Sequence, residues 1–279
     1  MPTKIDPVSI ESVKSFWDSQ PLFTGESYHG AGTKEFFEDH TKTYLEDVFP
    51  GLIDERFFPR SKELSVLDLG CGIGFWTEQF CKRDYKSVTG ADLSLRSLEL
   101  ARERIGMAGL KANFRNENAE LLSFADASFD HVNCLGVVHH TPHPERAVAE
   151  IARVLKPGAS ATISVYYRNI LLRNFSKLKG VFLLLSKFGV GLKGRGRETM
   201  LAENAESEIV RLYDGSDNPL GIAYSRSEFE VILKQHYKVE EVFYHFFPKR
   251  ALWHDMPRSL HRLLDQKLLF MICFRLKKL

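Results

Sequence analysis

The sequence lacks the marks of membrane-spanning, secreted or disulfide-stapled chains. No stretch approaches the roughly 18 consecutive apolar residues of a transmembrane helix, and residues 1–16 contain no apolar core of a signal peptide. Four scattered cysteines show no CxxC spacing, namely Cys71, Cys81, Cys134 and Cys273. We therefore expect a cytoplasmic chain with reduced thiols and no zinc site.

A strong charge of one sign is also missing. The 38 basic and 36 acidic residues leave a net charge of +2, so the chain has no general field to attract nucleic acid. With 44% hydrophobic and 27% charged residues, the composition is that of an ordinary globular protein. We expect a small-molecule or lipid-like partner and no nucleic-acid partner.

Short apolar runs alternate with helical patterns between residues 64 and 167, as in the βαβ units of a parallel sheet. The spacing predicts helices at 75–82, 94–105 and 144–155. Pro144 suits the first turn of a helix, where no N–H is needed. The predicted strands are 65–69, 87–91, 112–115, 131–135 and 161–166.

After residue 167 the alternation stops. Residues 168–197 hold eight basic side chains and no acidic one, and their apolar residues recur at helical spacing. We predict an amphipathic helix with three open roles: a cap over the substrate site, a peripheral membrane contact, or a surface for a partner protein. Ser225 and Glu228 form a capping-box pattern, which predicts a helix from there to about residue 237. Runs at 239–247 and 268–275 are predicted as final strands.

Three close glycines, Gly70, Gly72 and Gly74, follow the first predicted strand and precede a helix. Glycine permits a tight turn and leaves room for a cofactor to approach the backbone. The second strand ends in Asp92, about 20 residues later, where a carboxylate accepts hydrogen bonds from ribose hydroxyls. The pairing of turn and acid predicts a nucleoside cofactor.

Asp68 helps to choose among such cofactors. Dinucleotide sites usually have GxGxxG spacing and receive a pyrophosphate, whereas this turn has GxGxG spacing with an acid just before it. A carboxylate there repels a pyrophosphate and attracts an ammonium group. The charge pattern favours S-adenosylmethionine, with an NAD-dependent oxidoreductase as the principal alternative.

Several motifs in order resemble those of class I S-adenosylmethionine-dependent methyltransferases, and within them the ubiquinone/menaquinone-biosynthesis (methyltransferase type 11-like) branch. The resemblance spans residues 64–167. Its motifs are DLGCGIG at 68–74, DLS at 92–94, NAE at 118–120, FD at 129–130, GVVHHTP at 136–142 and RVLKPG at 153–158.

The resemblance implies a role for each motif. The turn with Gly70, Cys71, Gly72 and Gly74 would face the cofactor's amino-acid and ribose portions. Asp68 would lie near its ammonium group and Asp92 on its ribose. Leu93 would pack on adenine, Asn118 and Ala119 would meet its edge, and the backbone of Leu135 and Gly136 would close the methionine side. The product is S-adenosylhomocysteine.

Methyl transfer relies mainly on positioning, with a base added when the acceptor must lose a proton. His140 is the favoured base, because it follows the fourth strand at the edge where such folds bind ligands. His139 and Tyr166 are further candidates for catalysis. Tyr28 and His29 belong either to an amino-terminal lid or to a surface loop. Proline at 142 and 144 argues against a metal site built from His139 and His143.

The expected fold is α/β: a doubly wound, Rossmann-like, mostly parallel sheet with an N-terminal helical extension and a helical insertion after the fifth strand. We predict an N-terminal helical or lid segment at 1–62, a cofactor-binding core at 63–167, a basic cap at 168–222 and sheet-completing elements at 223–279. The expected function is O- or C-methylation of a small or lipid-like acceptor. A nucleic-acid methyltransferase lacks support, since residues 135–138 read Leu-Gly-Val-Val. A non-catalytic cofactor-binding protein is the other alternative.

Overall fold

The computed structural model describes residues 8–186, 203, 205–247, 249 and 256–279. Within them, eight strands form one sheet in the order β3-β2-β1-β4-β5-β8-β7, and the short β6 pairs with the end of β5. The strands are β1 Ser65–Leu69, β2 Ser87–Asp92, β3 Asn113–Asn116, β4 Phe129–Leu135, β5 Leu155–Tyr167, β6 Ala223–Tyr224, β7 Tyr237–His245 and β8 Met271–Lys278.

Helices cover both faces of this sheet in the described part of the chain. They are α1 Ile10–Ser19, α2 Lys34–Thr43, α3 Phe75–Lys82, α4 Leu95–Met107, α5 Pro144–Val154, α6 Ile170–Arg173, α7 Phe175–Ser186, α8 Glu206–Leu212, α9 Arg226–Leu233 and α10 Arg258–Lys267. Each described helix is too short or too polar to cross a bilayer.

The sheet changes its winding direction between β1 and β4. β1 pairs in parallel with β2 on one side and with β4 on the other, whereas β8 runs antiparallel between β5 and β7. Both faces of β1 are covered, so four of its five residues are buried. Ligands of such sheets bind beyond the carboxyl ends of the strands at this reversal.

The expected α/β class and mostly parallel sheet are confirmed, and the bounds predicted for β1 and α3 match those observed. Three helix ends were predicted wrongly, and the first is that of the helix expected at 94–105, which spans Leu95–Met107. The helix expected to reach 155 ends at Val154, because Leu155 already begins the long β5. The helix expected to reach about 237 ends at Leu233, because the chain enters β7 at Tyr237. The predicted capping box of Ser225 and Glu228 is present. The short strand β6 was not predicted.

The basic segment 168–197 is described only in part. α6 and α7 account for residues 170–186, and the predicted continuation at 187–197 lies outside the described residues. Leu172 and Phe175 are buried against Ile209 and Val210 of α8. These contacts hold the segment beside the end of β5.

The N-terminal helices pack over the carboxyl edge of the sheet. The Ser94 hydroxyl at the start of α4 donates a 3.1 Å hydrogen bond to the Trp17 carbonyl of α1. Phe36 and Phe37 of α2 pack with Ile73 and Leu100 in a buried cluster. Residues 10–43 therefore form a roof above the glycine turn.

Candidate cofactor and acceptor site

One pocket lies at the carboxyl edge of β1, β2, β4 and β5, beneath the N-terminal helices. Its lining includes ten residues that the sequence analysis assigned to the site: Gly70, Gly72, Asp92, Leu93, Asn118, Ala119, Leu135, Gly136, His140 and Tyr166. Four other predicted residues, Asp68, Cys71, Gly74 and His139, are not part of this lining. The fold thus brings most of the predicted residues together.

The glycine turn needs glycine for two different reasons. A Cβ on Gly70 would overlap the side chain of Val137, so this position allows the β4 loop to approach closely. Gly72 has a φ of +51°, and a Cβ there would meet no atom within 4 Å. Since Gly72 lines the pocket, that open space is available to a ligand. Gly74 begins α3 against Ala101 of α4, and Cys71 is buried beside it.

Asp92 is fixed by the backbone on both of its carboxylate oxygens. The Gly72 N–H donates to Oδ2 and the Ser94 N–H donates to Oδ1, each at 2.8 Å. Burial raises the pKa of Asp92 to about 6. The carboxylate therefore joins the glycine turn to the start of α4 and presents its remaining lone pairs at the pocket wall.

Asp68 is buried, and its expected place near the cofactor's ammonium group stays a prediction. Its Oδ2 accepts a 2.7 Å hydrogen bond from the Thr77 hydroxyl, and its Oδ1 accepts a 2.9 Å bond from the Asn133 amide. Burial raises the pKa of Asp68 to about 6. It lies below the turn and not in the pocket lining, so the structure connects it to the cofactor site through the loop that it supports.

Near Asp92 the pocket wall combines apolar side chains with the polar residues Ser97, Glu117 and Asn118. Leu93 and Ala119 are part of this wall, and the Asn118 side-chain oxygen accepts a 3.0 Å hydrogen bond from the Glu120 N–H. At the end of β4, the Gly136 N–H donates a 3.0 Å hydrogen bond to the Ser164 hydroxyl. Because that N–H is engaged, Gly136 offers a ligand its carbonyl and the space that a side chain would fill.

His140 and Tyr166 meet a third polar residue, Asp214, that sequence reasoning did not identify. The Tyr166 hydroxyl donates to Asp214 at 2.9 Å to Oδ2, and His140 Nε2 lies 3.4 Å from the same oxygen. His140 Nδ1 lies 2.6 Å from the Leu220 carbonyl oxygen. Asp214 is itself in the pocket lining. These three residues, Asp214, His140 and Tyr166, are called the polar cluster below.

His139 packs away from the pocket. Its side chain is buried, and its ring lies 4.2 Å from that of Tyr166. Burial holds the pKa of His139 well below its ordinary value, so the ring is neutral. His139 is thus a buried, neutral residue outside the pocket lining, and its role in catalysis stays a prediction.

The rest of the pocket wall comes from distant parts of the chain and includes several aromatic side chains among aliphatic and polar ones. The N-terminal segment contributes Trp17, Phe23 and Tyr44, while Tyr213 and Phe246 come from later loops. Tyr28, considered for a lid, is fully exposed and does not line the pocket. A weak signal for this wall was available, since the first sixty residues are rich in aromatic side chains.

The pocket suits S-adenosylmethionine in its hydrogen-bond acceptor and in its shape. A fixed carboxylate at Asp92 is available to ribose hydroxyls, and Leu93 and Ala119 offer apolar contact to adenine. The turn at Gly72 leaves open space in which the cofactor would lie against the protein backbone. A pyrophosphate would instead have to lie near the carboxylate of Asp92.

Comparison with known proteins agrees with this geometry. A family model described as a methyltransferase domain matches residues 67–163. The ubiquinone biosynthesis O-methyltransferase of Hahella chejuensis is 38% identical over 169 residues, which are 60% of this chain and 66% of that protein. The protein of the same name from an Azoarcus species is 30% identical over 58% of this chain and 72% of its own length. The chain thus spans about two thirds of these relatives.

Solved structures show the same fold. An S-adenosylmethionine-dependent methyltransferase from Methanosarcina mazei has a TM-score of 0.56 at 21% identity, covering 81% of this chain and 96% of that one. Another from Aquifex aeolicus has a TM-score of 0.52 at 16% identity, covering 85% and 93%. The chain belongs to the class I S-adenosylmethionine-dependent methyltransferase family. Its cofactor is S-adenosylmethionine.

Proposed function

We propose that this protein transfers a methyl group to a hydroxyl of an apolar, aromatic or lipid-like acceptor. The observation that carries the proposal is the polar cluster in the wall of a pocket that also presents several aromatic side chains. An apolar acceptor would be held by the aromatic and aliphatic side chains of the wall, and its hydroxyl would form hydrogen bonds to the cluster. The O-methyltransferase names of the two relatives support oxygen as the methylated atom.

The residues of this chain would bind and orient the two substrates. When bound, S-adenosylmethionine supplies a methyl group on a positively charged sulfur. We assign its ribose to Asp92 and its adenine to Leu93, Asn118 and Ala119. Its methionine end is assigned to the Gly70–Gly72 turn and the Leu135–Gly136 backbone. The residues that support this turn are Asp68, Cys71 and Gly74. Exclusion of water by the apolar side chains of the wall would favour transfer to the acceptor.

We also propose that residues 1–62 and 168–222 close the pocket as a lid and a cap on the core at 63–167, with 223–279 completing the sheet. Trp17 of the first segment and Asp214 of the second both line the pocket.

A peripheral membrane contact is proposed for α7, in which Val181 and Leu184 are exposed close to Lys177. This combination fits the headgroup region of an anionic membrane. Flotation with phosphatidylglycerol vesicles should recover the protein, and Val181→Asp with Leu184→Asp should abolish that recovery.

Two experiments test the proposed function. In a thermal-shift comparison, S-adenosylmethionine should raise the melting temperature and NAD should not, which separates the methyltransferase from the oxidoreductase. Transfer of labelled methyl groups should then be followed with four probes: hexylcatechol, hexylresorcinol, hexylamine and decanoate. Methylation of the phenols supports the proposal, whereas methylation of the amine alone contradicts it. Cofactor binding without transfer to any probe or to extracted membrane lipid would indicate a non-catalytic protein.

A further inference from the structure

The polar cluster contains one carboxylate and one imidazole in contact, and the geometry separates their roles. The Leu220 carbonyl oxygen can only accept a hydrogen bond, so His140 Nδ1 carries a proton and donates it. The other ring nitrogen, Nε2, lies 3.4 Å from a carboxylate oxygen of Asp214, which also only accepts when ionised. Both ring nitrogens therefore face acceptors, as they do for a doubly protonated imidazolium.

A neutral His140 would be poorly suited to this place. With its proton on Nδ1, it would direct the lone pair of Nε2 at the carboxylate, and two acceptors would oppose each other. An imidazolium instead donates from both nitrogens and compensates the buried charge of Asp214. Such a ring has no lone pair with which to accept the proton of a substrate.

The carboxylate of Asp214 can accept a proton from a substrate, whereas the imidazolium of His140 cannot. Its carboxylate lines the pocket, its side chain is 12% exposed, and both of its oxygens lie within reach of the Tyr166 hydroxyl. Burial raises the pKa of Tyr166 well above its ordinary value, so Tyr166 remains a donor. A carboxylate has about four lone-pair sites, so the two contacts leave room for a substrate hydroxyl.

The turn that carries Asp214 is stabilised by hydrogen bonds between residues on either side of it. The Arg211 guanidinium donates to the carbonyl oxygens of Ser216 and Asn218 at 3.0 and 2.6 Å. The Asn218 amide donates back to the Arg211 carbonyl at 2.9 Å. This closed arrangement fixes the backbone around Asp214, and the Ile222 N–H bond to the His139 carbonyl ties the following residues to the β4 turn.

We infer that Asp214 is the catalytic proton acceptor for the acceptor hydroxyl, and that His140 is a positioning residue that keeps Asp214 ionised and in place. The inference rests on the proposed O-methylation. In the step, the acceptor oxygen forms a bond to the methyl carbon, and the carbon–sulfur bond breaks with its electron pair left on sulfur. The hydroxyl proton moves to Asp214 and then to solvent.

The titratable groups that face the pair are Tyr166, which donates to Asp214, and His139, whose ring lies 4.2 Å from that of His140. Tyr213 adjoins Tyr166, and Trp17 packs on His140 without a titratable group. Because Tyr166 and His139 are neutral, the imidazolium of His140 is the charge that favours ionisation of Asp214.

The test follows hexylcatechol methylation as a function of pH in Asp214→Asn and His140→Gln proteins. Asp214→Asn should lower kcat by about 10²- to 10⁴-fold and remove the acidic limb of the pH profile, with the Kd for S-adenosylmethionine unchanged by calorimetry. His140→Gln should retain the limb and move it to higher pH. Asp217→Asn, an exposed change in the same turn, should match the wild type.

The opposite pattern would overturn the inference. If His140 were itself the base, His140→Gln would lose the acidic limb while Asp214→Asn kept it. If Asp214→Asn does not fold, His140→Gln alone decides, because a retained limb supports Asp214 as the base and a lost limb supports His140. A wild-type protein that methylates no phenol would refute the proposed function itself, so the two failures are distinguishable.

Discussion

The indole ring of Trp17 meets the imidazole ring of His140 edge to face, with ring centroids 5.4 Å apart. Trp17 belongs to α1 and His140 to the turn after β4, so this contact joins the N-terminal roof to the polar cluster. The roof and the polar cluster therefore line the same pocket. Loss of the roof should affect both packing and turnover.

A double-mutant cycle with Trp17→Leu and His140→Gln should measure this contact. We expect a coupling of about 0.5–1.5 kcal/mol in the free energy of unfolding, the range for aromatic pairs. Trp17→Leu should also raise the acceptor KM. Tyr28→Leu changes a fully exposed ring of the same segment and should alter stability by less than about 0.5 kcal/mol. A coupling of zero would mean that the rings merely adjoin.

Replacing Asp92 by alanine should weaken S-adenosylmethionine binding by about 10- to 100-fold. The reason is that hydrogen bonds to a charged group contribute about 1.5–3 kcal/mol each. Calorimetry on the folded variant measures the effect. Glu99→Ala, on the exposed side of α4, serves as the matched control and should bind normally. Unchanged affinity in Asp92→Ala would remove the ribose assignment.

Cofactor binding should also depend on pH through Asp92. Burial raises the pKa of this carboxyl to about 6, so the cofactor-free protein protonates it as the pH falls through that value. A protonated carboxyl loses acceptor capacity, and the affinity for S-adenosylmethionine should fall with it. Calorimetry at pH values above and below about 6 tests whether the affinity falls as the pH is lowered. Asp92→Asn should reduce the dependence, leaving only the contribution of Asp68.

Gly72→Val should abolish cofactor binding. The positive φ strains any branched residue there, and the added side chain would enter the open space of the pocket. Gly106→Ala offers the matched control, because it adds a Cβ inside α4 with no atom within 4 Å. That helix change should leave the Kd unaltered and stabilise the fold by about 0.5–1 kcal/mol. Retained affinity in Gly72→Val would make the turn purely structural.

A buried ion pair beneath the roof should govern acid stability. Arg104 donates through Nε to Glu78 at 2.5 Å, and its guanidinium also reaches Thr41 of α2. Burial alone would raise the pKa of Glu78, but Arg104 and Lys82 hold it below its ordinary value. The pair's stabilisation is therefore complete above the unfolded pKa of Glu78 and is lost as the pH falls through the lower folded value.

Glu78→Gln should cost about 3–5 kcal/mol in the free energy of unfolding at neutral pH, because it leaves the charge of Arg104 buried and uncompensated. Denaturant titration at several pH values measures the loss. Lys82→Ala removes the half-exposed partner of Glu78 and should cost less than about 1 kcal/mol. Equal costs for the two variants would contradict the assigned role of burial.

The sequence revealed the half of the site that local patterns encode. The turn at Gly70–Gly74 and the acid at Asp92 lie where strand, glycine and helix signals coincide, so their positions followed from neighbouring residues. Asp214 carries no such signal. It lies in an irregular turn far along the chain from His140, and only the packing of residues 211–222 against the β4 turn brings the two together. The hydrogen bonds that occupy Asp68 depend likewise on Thr77 and Asn133 from two other elements.

The place of β8 has a consequence for synthesis. β8 hydrogen-bonds to β5 on one side and β7 on the other, although β5 ends at Tyr167 and β8 begins only at Met271. On the ribosome, β5 can pair early with β4, but its other edge stays bare until residues 271–278 have emerged. Unpaired strand edges are templates for aggregation. Slower translation of the residues between β5 and β8 should therefore prolong this exposure and increase the dependence of a newly made chain on chaperones.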